Sequence, residues 1–270
     1  MVGRSIGQRR MGVAEFTVMV APSGARRGKR DHLNLPVTPE EIAQTAADCY
    51  VAGAGALHLH VRDEEGQHSL DAGRYRTAME AVQEAAPGMK VQITTESAGL
   101  FSPKDQLHCL MQLRPAAASV SVREMARDLA VAARAYAFSA EVGTRVQHIL
   151  YGSSCIAQLK EWYGDGTVPP SMRDAIFVLG SYAPPVLGQP EDLAGFLSAA
   201  ADLRLNWTAC AFGRNERACL LAAIAAGGDA RIGFENNIET PEGEMLQDNA
   251  ASVAALVRAA QDAGHSLKEG

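Results

Sequence analysis

Short β-rich runs alternate with longer helical patterns along nearly the whole chain, and few architectures accept that pattern. Two parallel neighbours need a helix-sized crossover between them, so repeated strand–helix steps imply a parallel sheet covered by helices. Eight runs qualify, at 15–21, 56–62, 90–95, 117–122, 145–151, 175–180, 206–212 and 230–235. The most legible helix starts at Thr38, an N-cap followed by Pro39 in the first turn and by Glu41 three residues on, and it ends at Gly53. Others read at 71–86, 104–113, 127–140, 154–162, 191–203, 215–226 and 242–263.

Eight such units close into a (β/α)8 TIM barrel, and 270 residues suit the roughly 250 typical of that single-domain α/β fold. A doubly wound open sheet is the alternative, but no Gly-x-Gly-x-x-Gly follows the first strand. The barrel is expected over 15–270. Residues 1–14 are basic, lack the apolar centre of a secretory signal and read as a flexible extension.

Composition removes several function classes. With 47% hydrophobic residues the chain is too apolar for disorder, and a net charge of −6 gives no electrostatic footprint for nucleic acid. No apolar run approaches the ~18 residues of a membrane span. Cys49, Cys109, Cys155, Cys210 and Cys219 form no Cys-x-x-Cys pair, which argues against disulfides and a thiolate zinc site and for a cytoplasmic protein with free thiols.

Catalytic groups of a barrel come from the C-terminal ends of its strands. At the second of these, in the stretch 57–63, alternation puts His58 and His60 on one face, inside the barrel if Leu57, Leu59 and Val61 face the helices. The same alternation over 231–235 points Arg231, Gly233 and Glu235 inward. Strands eight and two flank strand one in a closed barrel, so Glu235 can approach both histidines. Two imidazoles and a carboxylate with open positions make a catalytic type of zinc site. Each residue also has a plainer role: hydrogen-bonded core histidines, a capping or surface carboxylate, and an arginine paired with Glu235 or Asp63.

The stretches 33–41, 57–63 with Gly66 and 69–71 after it, and 227–237 resemble the β-keto acid cleavage enzymes, from the first strand to the last helix. The resemblance implies a zinc-dependent barrel that exchanges the acyl portion of a small-molecule β-keto acid with acetyl-CoA and releases acetoacetate. It implies His58, His60 and Glu235 as metal ligands and Arg231 as an anion-binding or charge-stabilising group. Thr94 stands where the family usually has a serine near the substrate, and a homo-oligomer is suggested. Thr94 and Thr95 end the third strand, one facing in and one out, either as substrate-side hydroxyls or as threonines of ordinary β propensity.

Two positions depart from the family. Asn236 stands where the family has an aspartate proposed as general base, and an amide cannot accept a proton at neutral pH. Glu96 or a zinc-bound hydroxide then takes that role, or the chain runs another carbon–carbon lyase or aldolase step, or it is a noncatalytic metal- or ligand-binding relative. Arg26 stands where members that cleave 3-keto-5-aminohexanoate have a glutamate meeting the substrate amine. It either favours an acidic or neutral tail or turns to solvent; Arg27, Lys29 and Arg30 beside it are either a solvated basic loop or meet an acidic substrate or coenzyme A phosphates, and Arg214 has the same ambiguity.

Overall fold

The structure, a computed structural model, describes residues 14–268. Eight parallel strands close into a barrel in chain order: β1 (Val18–Val20), β2 (Ala56–Leu59), β3 (Lys90–Thr94), β4 (Ala117–Ser121), β5 (Arg145–Leu150), β6 (Asp174–Leu179), β7 (Asn206–Ala211) and β8 (Asp229–Ile232). Helices follow them as α1 (Pro39–Val51), α2 (Ala72–Ala85), α3 (Pro103–Leu113), α4 (Leu129–Val142), α5 (Ser153–Asp165), α6 (Leu193–Ala200), α7 (Glu216–Ala225) and α8 (Asn249–Asp262). Strand β1 lies between β8 and β2, in register Arg231 with Met19 and Val20 with Leu57. The expected single-domain barrel is thus present, while the expected 1–14 extension lies, Ala14 apart, outside the described residues. Among the described residues no helix is long and apolar enough to cross a membrane.

Strand alternation divides the core into two layers. Outward residues such as Val18, Val20, Leu57, Leu59, Val120 and Val146 pack against the helices. Ile149, Ile176, Val178 and Cys210 fill part of the barrel interior. The start of α1 forms as its sequence dictates: the Thr38 hydroxyl accepts from the Glu41 amide at 3.3 Å, and the Glu41 carboxylate accepts from Val37 at 2.8 Å.

Three strands are shorter than their runs by two residues or more, each at a place that matters to the site. In the first run, Glu15–Phe16 leaves the barrel and pairs with Ser266–Leu267. In the second, the barrel strand stops at Leu59, and Val61–Arg62 turns away to pair antiparallel with His68–Ser69. The eighth stops at Ile232, because Gly233 adopts φ 143° and a Cβ there would sit 2.4 Å from the Ala21 carbonyl oxygen. The last helix begins at Asn249, seven residues after the expected 242, because Asp248 caps it and the stretch before it is a loop bridged between Glu239 and Met245. An additional helical turn, Val122–Met125, follows β4 directly.

Candidate active site

His58 and His60 leave the end of β2 with their rings 5.0 Å apart, both 1% exposed. The Glu235 Oε2 lies 3.6 Å from His58 Nε2 and 3.2 Å from His60 Nε2, and one ligand atom from each residue falls within 4.8 Å of the others. A row of side chains across the barrel sets the His58 tautomer. Thr208 Oγ1 accepts from the Gln147 amide at 3.3 Å, Gln147 Oε1 accepts from the Gln92 amide at 3.1 Å, and Gln92 Oε1 therefore faces His58 Nδ1 at 2.8 Å. The proton sits on Nδ1, leaving a bare Nε2 lone pair toward Glu235. Burial, only partly offset by the Glu235 charge, holds the His58 pKa down at about 3, so the imidazole is neutral at neutral pH.

Glu235 reaches this point from a turn rather than from strand parity. Its amide donates to the Ala21 carbonyl at 3.0 Å. The Gly233 amide donates to Glu216 and the Phe234 amide to Asn249, while Arg27 Nη1 donates to the carbonyls of Phe234 and Glu235 at 2.6 and 3.1 Å. Gly24 leaves room for the side chain, since a Cβ on it would lie 2.6 Å from Glu235 Cγ. Burial alone would raise the Glu235 pKa, but Arg231 and the two histidines hold it well below the usual range, so it is a carboxylate. Arg231 Nη2 donates to Glu235 Oε1 at 2.9 Å and also meets Cys210 Sγ at 3.3 Å and Asn236 Oδ1 at 3.4 Å. The plainer reading of Arg231 as a Glu235 partner therefore holds alongside its place on the cavity wall.

The donor set fits a divalent cation. His60 Nε2 and Glu235 Oε2 are buried without hydrogen-bond partners, facing one another. Two such atoms in contact cost free energy unless a cation or a proton lies between them. Two imidazoles and a carboxylate match the nitrogen and oxygen preferences of zinc.

Above the ligands opens a cavity of about 110 Å³ whose lining includes His58, Glu235, Thr94, Glu96, Arg231 and Arg26. Glu96 Oε2 stands 4.0 Å from His60 Nε2. Burial raises the Glu96 pKa, against the pull of His60 and with a further push from Glu235. Thr94 Oγ1 accepts from the Glu96 amide at 3.0 Å. Arg26 is exposed, with its guanidinium carbon 5.6 Å from the centre of the Tyr182 ring.

Two expected site residues stand off the cavity. Thr95 is fully buried and donates its hydroxyl to the Ser119 carbonyl at 2.9 Å, a structural contact of the outward-facing threonine. Asn236 is also fully buried, behind Arg231.

Several cavity and supporting residues escaped the sequence reading. Arg27 is a clamp on the Glu235 turn. Arg62 donates to the carbonyls of Gly24, Ala25 and Arg27 at 2.5 to 2.9 Å and so fixes the β1 loop. Arg123, Tyr151 and Tyr182 line the cavity. Parity with Thr94 on β3 would have found Gln92, and parity with Gln147 and Ile149 on β5 would have found Tyr151. The loop contacts carry no periodic signal.

Residues 15–269 match a family model described as beta-keto acid cleavage enzyme. The chain is 27% identical over 263 residues to the 3-keto-5-aminohexanoate cleavage enzyme of Acetoanaerobium sticklandii, covering 94% of each chain. It is 25% identical over 266 residues to the 3-oxoadipate:acetyl-CoA acetyltransferase of Cupriavidus necator, covering 93% of this chain and 90% of that one. Among solved structures, ObcA in a ternary complex with a C4-CoA adduct and oxalate superimposes with a TM-score of 0.67 at 14% identity, over 87% of this chain and 65% of that one. The present chain thus spans about two thirds of ObcA, and that likeness concerns the fold.

Proposed function

Because the chain belongs to the β-keto acid cleavage enzyme family, we propose that it exchanges acyl groups between a β-keto acid and acetyl-CoA. In that reaction R–CO–CH2–COO⁻ and acetyl-CoA give R–CO–CoA and acetoacetate, with every atom accounted for. The observation that carries the reading is the convergence of His58, His60 and Glu235, two of which line a cavity, with buried polar atoms of His60 and Glu235 left unpartnered.

His58, His60 and Glu235 would hold the metal, which we assign as zinc. A bound divalent cation supplies Lewis-acid polarisation of the substrate's keto oxygen. Arg231, held by Glu235 on the cavity wall, would supply a permanent cation to the negative charge that develops on the substrate as the carbon–carbon bond rearranges. Glu96 is the proton acceptor in this scheme: it is a carboxylate on the cavity wall beside His60, and the Asn236 amide cannot take a proton. Thr94 holds the Glu96 backbone and shares the cavity wall with it. Arg26 adds positive charge at the cavity rim, which disfavours an ammonium-bearing substrate and suits one with an acidic or neutral tail. Coenzyme A chemistry and five buried free thiols suit the cytosol, where the working form would be a homo-oligomer.

Asn236 favours one competing reading, a different metal-dependent carbon–carbon lyase or aldolase step. Incubating the purified protein with acetyl-CoA and a panel of β-keto acids separates the two. Acetoacetate and a new acyl-CoA in equal amounts are expected for at least one substrate. Cleavage of a keto acid without acyl-CoA would establish the competing reaction instead.

A further inference from the structure

Arginines outnumber carboxylates around the cavity, whose lining acids are Glu96 and Glu235. Four arginines line it: Arg26, Arg27, Arg123 and Arg231. Arg231 is ion-paired with Glu235, and Arg27 has turned its Nη1 to two backbone carbonyls. Arg26 and Arg123 have no carboxylate within 4 Å among the described residues, and of the two only Arg123 stands across the barrel from the β8–β1–β2 side. Its sequence neighbour Glu124 is committed elsewhere, accepting from the Ser97 amide and hydroxyl at 3.0 and 2.9 Å and from the Gln106 amide at 2.6 Å.

Arg123 is nonetheless held in place. The turn Val122–Met125 carries it from the end of β4, and its guanidinium carbon lies 3.5 Å from the centre of the Tyr151 ring at the end of β5. Stacking on an aromatic face fixes the plane of a guanidinium while leaving its N–H edges free to bind a carboxylate in bidentate fashion. Strands β4 and β5 lie across the barrel from the β8–β1–β2 side that carries Glu235, Arg26 and His58. A substrate with its reacting end at the histidines would extend its tail toward Arg123.

We propose that Arg123, stacked on Tyr151, pairs with a second carboxylate at the distal end of the substrate, so that this chain's keto acid is a β-keto dicarboxylate. The inference rests on the site being a β-keto acid site, and it adds the substrate class and the residue that selects it.

The test uses unreactive probes on the full chain. Calorimetric titration with adipate, a dicarboxylate, and hexanoate, its monocarboxylate counterpart, should show tighter binding of adipate to the wild type. Arg123→Gln should lower the adipate-to-hexanoate affinity ratio by about tenfold or more, the scale of a lost hydrogen bond to a charged group. Lys29→Gln removes the same charge from an exposed side chain outside the cavity and should preserve the ratio. No adipate preference in the wild type, an unchanged ratio in Arg123→Gln, or an equal fall in Lys29→Gln would each overturn the proposal. An Arg123-dependent preference in a protein that cleaves no β-keto acid would leave the charge assignment standing and remove the reaction.

Discussion

His58 can serve as a ligand only because its proton is placed elsewhere, and Glu235 only because Arg231 keeps it ionised. Both conditions are met by neighbours within 3 Å, Gln92 beside His58 and Arg231 beside Glu235. One divalent metal per chain is the expected stoichiometry. The double variant His58→Ala, His60→Ala should fold and lose it, as elemental analysis of purified protein would reveal, whereas full retention would exclude these ligands. A second expectation concerns the proton acceptor. Glu96→Gln should lower kcat for β-keto acid cleavage by about 10²- to 10⁴-fold, the usual contribution of a positioned base. A kcat within twofold of wild type, with chemistry limiting, would move the role to another group, and a rise in kcat for Asn236→Asp would point to position 236.

At the scale of elements, the site depends on where strands stop. β8 ends one residue before Gly233, and the turn that follows is pinned by donors and acceptors from Ala21, Arg27, Glu216 and Asn249. Three strands contribute the row that orients His58, through Gln92 on β3, Gln147 on β5 and Thr208 on β7. Gln92→Leu is nearly neutral in volume but removes the acceptor at Nδ1, freeing the ring to flip and to change tautomer. Metal affinity should fall by about 10- to 100-fold, as for other supporting hydrogen bonds to ligand histidines, with little change in far-UV circular dichroism. Competition titration with a chromophoric chelator would measure it, and an unchanged affinity would show that packing alone orients His58.

For the whole molecule, closure of the barrel seals polar groups between strands and helices, and His148 shows the consequence. It faces outward from β5 with no exposed surface, its Nε2 3.0 Å from the Met172 carbonyl and its Nδ1 3.4 Å from the Tyr136 hydroxyl. Burial lowers its pKa to about 4, despite the favourable carbonyl contact. The unfolded chain, with an ordinary histidine pKa near 6.5, then binds the proton more readily between about pH 6.5 and 4, so stability falls as pH drops through that window. Between pH 7 and 5 the loss from this group is about 2 kcal/mol. Denaturant titrations at the two pH values should show His148→Gln losing less stability than wild type by that amount, and parallel losses would assign the acid sensitivity to other groups.

The eightfold alternation, the cap of α1 and the parity that brings His58 inward are legible without the fold, because these are local properties of strands and helices read at periods of 2 and 3.6 residues. The sequence also marked 231–237 as the partner stretch, yet parity was the wrong reason for Glu235, which turns in after the strand has ended. Thr95 was marked for the substrate and instead bonds the neighbouring strand. Arg27 and Arg62 read as loop and strand charges, and only the folded chain shows them holding the β8 turn and the β1 loop together. Such contacts join residues 35 to 208 positions apart, and their geometry depends on where irregular backbone leaves the barrel. No periodic signal encodes that departure, so the tertiary structure alone decided which arginines support the site and which remain free to meet a ligand.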